Sequence, residues 1–143
     1  CRTVHSLARL LTLFSGIKLH YVSPEILRMP RDVMDEVAEK GLPQTEHTSL
    51  EKVMSETDVL YVTRVQKERF DDQVVYEKVK SAFVITPEVM SMAKREMILM
   101  HPLPRITEIS MDCDNDPRAA YFRQMEYGLY VRMALLAMVL GKA

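Results

Sequence analysis

The sequence predicts an α/β fold in three layers, with a central parallel sheet flanked by helices. The first observation is that short apolar segments alternate with amphipathic segments from one end of the chain to the other. The second is that the apolar segments are almost continuously hydrophobic, as expected for strands buried on both faces of a sheet. The third is the placement of glycine and proline where helices are expected to begin and end.

The first half of the chain is predicted to contain three helices and two strands, assigned from apolar spacing and helix-end signals. In chain order these are a helix over Thr3–Phe14 that Gly16 ends, a strand over Ile17–Val22, a helix over Pro30–Lys40 that Gly41 ends, a weak strand over Gln44–His47, and a helix from the N-cap Ser49 to Glu56.

The second half continues the alternation but contains one long irregular segment, His101–Asp116, of the kind that often carries function. The other predicted elements are a strand over Asp58–Thr63, a helix over Val74–Lys80, a strand over Phe83–Ile85, a helix from Pro87 to about Lys94, a strand over Met97–Met100, and a helix from Pro117 to Leu140. Expected core residues in and near this last helix are Tyr121, Phe122, Leu129, Leu135 and the methionines Met97, Met100, Met133 and Met138.

Size and composition favour a single globular domain over residues 1–143. The chain is 48% hydrophobic and 27% charged, with a formal net charge of -1, so no general nucleic-acid binding is expected. No apolar run is long enough for a membrane span. Two cysteines without metal-ligand spacing indicate a cytoplasmic setting and no metal site. The chain does not begin with Met, and we expect a fragment or an isolated domain.

Familiar catalytic motifs are missing. The sequence has no Gly-rich phosphate loop, no G-x-S-x-G elbow and no H-E-x-x-H zinc motif. Oxidoreductase, kinase and hydrolase interpretations therefore lose support, and no cofactor is predicted.

Two polar segments follow predicted strands, and parallel strands bring such segments to one edge of a sheet. Arg64 begins the first segment, and a guanidinium fixed at a strand end can clamp a carboxylate with two hydrogen bonds. Gln66 could share that ligand, and Glu68 could orient Arg64. The alternative is a solvated charged loop with mutual salt bridges.

The second segment is His101-Pro102-Leu103-Pro104-Arg105. Two prolines around one residue stiffen the backbone, and the carbonyl groups they fix suit recognition of an ammonium or amide group. An X-Pro bond can also be cis. The alternative is a rigid loop without a ligand. His101 could act as a general base, but a structural role is the more common one for such a residue.

Arg2 stands at the start of the first predicted helix, where a cation is unfavourable for the helix macrodipole. That conflict indicates a functional demand on Arg2. An exposed end without a purpose is the alternative.

These segments resemble the aspartate carbamoyltransferases in sequence and order, over essentially the whole chain. The resemblance rests on Arg2–Leu7, Asp58–Phe70, His101–Ile109 and Tyr121–Gln124. The T-R-x-Q-K-E-R and H-P-L-P-R segments are the most specific. The related ornithine enzymes have a cysteine after the histidine, where this chain has Pro102.

The resemblance implies the Rossmann-like, aspartate-binding second domain of a catalytic chain that works without a cofactor. Arg2, beside Thr3, would bind the α-carboxylate of L-aspartate, and Arg64 the side-chain carboxylate. The carbonyl groups of Leu103 and Pro104 would meet the amino group and the carbamoyl amide. Arg105 would add to the positive field of the site.

The implied reaction is attack of the aspartate amine on carbamoyl phosphate, a committed step of pyrimidine synthesis in the family. The family's phosphate-binding segment is absent from this sequence, so carbamoyl phosphate would bind through a missing first domain. The fragment alone is expected to be inactive, and full chains are expected to form homotrimers. The alternatives are an ornithine-type domain and a non-catalytic Rossmann-like assembly module.

Overall fold

The structure, a computed structural model, describes residues 2–65, 70 and 72–142. Its first half contains α1 (Arg2–Leu11), β1 (Leu19–Val22), a short 3₁₀ helix (Glu25–Leu27), α2 (Arg31–Glu39) and β2 (Gln44–His47). Its second half contains α3 (Glu51–Met54), β3 (Val59–Tyr61), α4 (Gln73–Ala82), α5 (Pro87–Ser91), β4 (Ile98–Met100), a 3₁₀ helix (Met111–Cys113) and α6 (Tyr121–Val139).

The paired strands run parallel. β1 pairs with β2, with Leu19 opposite Gln44, and β3 pairs with β4, with Val59 opposite Ile98. These strands alternate with helices along the chain, which confirms the predicted α/β class. Within the described residues the hydrogen-bonded ladders are two separate pairs. The predicted strand over Phe83–Ile85 is reduced to one parallel bridge, between Ile85 and Ile109.

The buried side chains form two clusters. The smaller joins α1 to α2 through Ala8, Val33 and Val37, with Leu19 and Tyr21 of β1 packed against it. The larger surrounds β3 and β4, and its members are Met54, Ile85, Met90, Met97, Leu99, Ile109, Cys113, Ala119 and Tyr121. The second cluster holds the ends of β3 and β4 in place, so it supports the edge where the candidate site lies.

Several helix ends have identifiable causes. Asp72 accepts a hydrogen bond from the Val74 N–H at 2.7 Å at the start of α4, and Thr86 caps α5 ahead of Pro87. Gly41 ends α2 with a φ of 78°, as expected from its freedom in the left-handed region. The prediction for Ser49 is wrong: its hydroxyl donates to the Glu51 carboxylate, and Leu50 is the N-cap of α3 without a capping side chain.

The last helix begins later than predicted, at Tyr121 rather than Pro117. Residues 118–120 instead continue the sheet beside β4. The Leu99 N–H donates to the Arg118 carbonyl at 2.9 Å, and the Ala120 N–H donates to the Leu99 carbonyl at 2.8 Å. The Arg118 carbonyl and the Ala120 N–H are thereby bonded to β4, whereas a helix beginning at Pro117 would engage them within the helix.

The predicted core role of α6 is confirmed only near its start. Tyr121 is fully buried, and Met97, just before β4, is also buried. The expectation is wrong for five residues that are more than half exposed: Phe122, Leu129, Met133, Leu135 and Met138. Beyond its first turns, α6 extends past the two clusters and leaves apolar side chains uncovered. No helix in the described part of the chain is long and apolar enough to cross a membrane.

Candidate functional site

The two polar segments leave adjacent parallel strands at the same edge of the sheet. Tyr61 is opposite Met100, and the Val62 N–H donates to the Met100 carbonyl at 2.9 Å, so the strands part only after these residues. Arg64 follows β3 by three residues, and Leu103 follows β4 by three. The predicted convergence of the two segments is therefore confirmed at the level of the backbone.

Arg64 has an exposed side chain. Among the described residues it forms no ion pair. Gln66, predicted to share the bound carboxylate, and Glu68, predicted to orient Arg64, lie outside the described residues. Arg64 thus lies exposed at the end of a strand anchored in the core, and its role in binding a carboxylate stays a prediction.

His101 is buried and both of its ring nitrogens are occupied. The Leu103 N–H donates to Nδ1 at 2.8 Å, so Nδ1 carries no proton, and Nε2 lies 2.8 Å from the Glu108 Oε1. This pattern assigns the neutral tautomer with its proton on Nε2. A ring held in this way is not free to take a proton from a substrate, so His101 has a structural role instead of the general-base role considered above.

Glu108 is the centre of this arrangement and is 6% exposed. One carboxylate oxygen meets His101, and the other accepts hydrogen bonds from the N–H groups of Ile106 at 3.2 Å and Thr107 at 3.1 Å. Burial alone would raise the pKa of Glu108, but the backbone donors and His101 outweigh it and lower the pKa below the ordinary value of 4.5. A buried carboxylate therefore closes the segment from His101 to Glu108 into a fixed loop.

Leu103 is at the tip of that loop with a φ of 46°, in the left-handed region that residues other than glycine rarely adopt. Such a conformation costs on the order of 1 kcal/mol and persists only where the surroundings impose it. Here the bond from its N–H to His101 imposes it. The Leu103–Pro104 peptide bond is cis, as the sequence allowed. The carbonyl groups of Leu103 and Pro104 thus have defined directions.

Arg105 is paired within the protein. Its guanidinium binds both carboxylate oxygens of Asp114, with Nη2 2.6 Å from Oδ2, and it lies over the ring of Tyr121. Asp114 balances its charge, so the expected contribution to a positive field is largely cancelled. The Asp114 pKa is lowered, chiefly by the bond from Arg105, while burial and then Asp114 raise the pKa of Tyr121 to about 12. Arg105 supports the loop and does not present a free cation.

Three supporting residues have no role in the sequence-based prediction: Glu108, Asp114 and Gln124. The Gln124 side chain accepts a hydrogen bond from the His101 N–H at 2.9 Å and ties α6 to the end of β4. Glu108 could have been noticed in the sequence as an acidic residue flanked by Ile106 and Ile109, seven residues after His101. No local pattern indicates Asp114 or Gln124, because their partners lie 9 and 23 residues away.

Arg2 and Thr3 are exposed in the first turn of α1, which packs on α2. No hydrogen bond or ion pair joins either side chain to the loop after β3 or β4 within the described residues. The structure therefore brings Arg64, Leu103 and Pro104 to one edge but does not itself join Arg2 and Thr3 to them. In the same part of the chain, no group of three or more His, Cys, Asp or Glu side chains is placed to hold a metal ion.

The chain matches a family model over residues 1–139, described as the Asp/Orn binding domain of aspartate/ornithine carbamoyltransferase. It is 59% identical over 140 residues to the multifunctional protein pyr1-3 of Dictyostelium discoideum, covering 98% of this chain and 6% of that protein.

Two solved structures are similar along nearly the whole chain. The catalytic subunit of M. Jannaschii aspartate transcarbamoylase superposes with a TM-score of 0.92 at 45% identity, covering 99% of this chain and 45% of that one. The Trypanosoma cruzi aspartate transcarbamoylase in complex with carbamoyl phosphate and aspartate gives 0.83 at 46% identity, covering 94% and 45%. The chain spans less than half of either structure. It belongs to the aspartate/ornithine carbamoyltransferase family and corresponds to the family's amino-acid-binding domain.

Proposed function

We propose that this chain is the aspartate-binding domain of an aspartate carbamoyltransferase. The complete catalytic chain would transfer a carbamoyl group from carbamoyl phosphate to L-aspartate, giving N-carbamoyl-L-aspartate and phosphate. The observation that carries the proposal lies at one sheet edge, where the exposed guanidinium of Arg64, unpaired among the described residues, stands near the carbonyl groups of Leu103 and Pro104. A cation and carbonyl oxygens suit a molecule that bears both a carboxylate and an amine.

The proposed roles follow the chemistry of each group. Arg64 binds the side-chain carboxylate of aspartate, and Arg2, with Thr3, binds the α-carboxylate. The Leu103 and Pro104 carbonyl groups accept hydrogen bonds from the amine and the carbamoyl amide, which directs the amine lone pair at the carbamoyl carbon. Gln66 would share the ligand and Glu68 would orient Arg64. Orientation and charge stabilisation supply the rate enhancement.

Aspartate is favoured over ornithine. The residue after His101 is a proline, and the similar aspartate transcarbamoylase from Trypanosoma cruzi binds carbamoyl phosphate and aspartate. Ornithine would also bring a side-chain ammonium to the place where Arg64 offers a cation, and two like charges would repel. A dicarboxylate is the better match to the exposed guanidinium.

The first prediction concerns Arg64. In the complete catalytic chain, Arg64→Ala is expected to raise the KM for aspartate or lower kcat/KM by at least about 30-fold, because a charge-assisted contact to a buried carboxylate is worth roughly 2–5 kcal/mol. Steady-state kinetics against aspartate at saturating carbamoyl phosphate measures the change. Arg95→Ala is the matched control, since Arg95 is also an exposed arginine without an ion pair among the described residues. Equal kinetics for Arg64→Ala and Arg95→Ala would favour a non-catalytic assembly module.

We propose that a second domain, outside these 143 residues, supplies the rest of the active site. The chain covers 45% of the M. Jannaschii catalytic subunit, and the apolar residues of α6 between Leu129 and Val139 are mostly more than half exposed. An uncovered apolar surface of this kind is typical of an interface. We propose that a carbamoyl-phosphate domain covers it, that complete chains assemble as cytoplasmic homotrimers, and that neighbouring subunits complete each site.

The second prediction is that the 143-residue chain alone has no transferase activity. It offers groups for a dicarboxylate and an amine but lacks the family's phosphate-binding segment. A colorimetric assay for carbamoyl-aspartate is expected to give the uncatalysed rate, and mixing with a separately produced carbamoyl-phosphate domain is expected to restore turnover. Turnover by the isolated chain would contradict the proposed division of the active site.

A further inference from the structure

A side-chain cluster outside the proposed substrate site lies on the sheet formed by β1 and β2. Leu19 and Tyr21 face the α1–α2 cluster, so alternation along the strand places His20 on the opposite face. In the parallel register His20 is opposite Thr45, and His47 is two residues further along β2. His20, Thr45 and His47 therefore share one face of the sheet, and none of them takes part in the proposed reaction.

The three side chains meet at their polar atoms. The Nδ1 of His20 lies 3.0 Å from the Nε2 of His47, and the Thr45 hydroxyl lies 3.0 Å from the first and 3.1 Å from the second. The ring centroids are 5.2 Å apart at an interplanar angle of 32°. Both rings are partly buried and Thr45 is exposed, so the cluster is held by the sheet and remains open to solvent.

This triangle has the dimensions of one face of a metal coordination shell. Donors about 2.1 Å from a metal ion and at right angles to one another are about 3.0 Å apart, whereas tetrahedral donors are about 3.4 Å apart. The observed sides of 3.0, 3.0 and 3.1 Å match the first case. Neutral imidazole nitrogens are the ligands that Cu²⁺, Ni²⁺ and Zn²⁺ favour.

The charges near the cluster act on it in opposite directions. Lys18 precedes His20 by two residues, and its positive charge, which lowers the pKa of His20, by itself opposes a bound cation. Its ammonium group, however, is 3.8 Å from the Glu56 carboxylate, and that carboxylate also acts electrostatically on His20. Glu56 offsets part of the effect of Lys18, whose positive charge weighs more on His20, so a bound cation depends on the imidazole nitrogens for its affinity.

We propose that His20 and His47, assisted by Thr45, bind one divalent transition-metal ion of the imidazole-preferring class, with water at the remaining positions. The ion replaces the hydrogen that links the two ring nitrogens, and the displaced ring proton moves to the outer nitrogen of the same ring. Bound in this way, the metal joins β1 to β2 across the strand pair. It has no part in carbamoyl transfer.

The test is titration of the untagged protein with Ni²⁺ or Cu²⁺, followed by calorimetry and by NMR of the histidine ring protons. One equivalent is expected to bind, and paramagnetic broadening is expected to affect the rings of His20 and His47 before those of His5 and His101. Binding is also expected to raise Tm saturably, because an ion that binds the folded state stabilises it. This titration uses the unaltered protein, so it tests the proposal even if a variant fails to fold.

Variants then identify the ligands. His20→Gln and His47→Gln are each expected to weaken binding by about tenfold or more, a typical loss when a metal-site residue is removed. His5→Gln is the matched control and is expected to leave the affinity unchanged, as is Thr45→Ser, which retains the hydroxyl. An absence of 1:1 binding, equal broadening of all four rings, or single-histidine variants with unchanged affinity would overturn the proposal.

Discussion

Glu108→Ala is expected to lower the free energy of unfolding by about 3 kcal/mol or more, because it leaves several buried donors without an acceptor. The carboxylate accepts from His101 Nε2 and from the N–H groups of Ile106 and Thr107, and it is almost completely buried. The loss extends to the loop, since His101 holds Leu103 in its left-handed conformation. Chemical denaturation of the variant and the parent protein measures the difference.

The pH dependence separates the charge of Glu108 from its volume. The folded-state pKa lies below the ordinary value of 4.5, so the charged carboxylate stabilises the fold above that pH, and this stabilisation is lost as the pH falls through the folded pKa. Glu108→Gln has a similar volume and cannot titrate. Its stability deficit is therefore expected to shrink as the pH is lowered from neutrality to below 4.5.

Two comparisons make the expectation for Glu108 specific. Glu39→Ala, at the exposed end of α2, is the matched control and is expected to change stability by less than about 0.5 kcal/mol. If Glu108→Ala is no more destabilising than Glu39→Ala, the buried carboxylate does not hold the loop. A second readout is the KM for aspartate in the complete chain. It is expected to rise for Glu108→Gln if the Leu103 and Pro104 carbonyl groups bind substrate.

Much of the fold could be predicted because its signals are local. The strand over Gln44–His47 has the predicted bounds, α2 is one residue shorter than predicted at each end, and β4 is one residue shorter at its start. The misses have non-local causes. Residues after Pro117 join the sheet through backbone hydrogen bonds to Leu99 instead of continuing a helix. Local helix propensity does not indicate that this pairing is available. Exposed leucines in α6 have core-like spacing, and spacing alone does not say what covers a helix.

The candidate site shows the same division. Arg64 and the Leu103–Pro104 pair could be predicted because each follows a strand, and parallel pairing brings strand ends together. Arg105 could be recognised as part of the segment but not as the partner of Asp114, which lies nine residues further in an irregular stretch. His101 carries a side chain capable of catalysis, and only the positions of Leu103 and Glu108 show that both of its nitrogens are engaged.

Asp114→Ala is expected to cost about 2–3 kcal/mol of stability, because it removes the acceptor for a largely buried guanidinium and for the Tyr121 hydroxyl. The Arg105 and Asp114 side chains are 14% and 29% exposed, and the guanidinium contacts both carboxylate oxygens. A double-mutant cycle with Arg105→Met is expected to give a coupling of at least about 1 kcal/mol. Denaturation curves of the four proteins measure it.

The ion pair between Arg28 and Glu25 provides the internal comparison for that cycle. It is a single contact of 3.2 Å between side chains that are 53% and 79% exposed, so its coupling is expected to stay below about 0.5 kcal/mol and to vanish at about 1 M salt. The coupling of Arg105 with Asp114 is expected to persist at the same salt concentration, because burial limits screening. Equal couplings for the two pairs would mean that Arg105 is not committed to Asp114 in solution. The guanidinium would then be available to the substrate edge, and its predicted place in the positive field of the site would be restored.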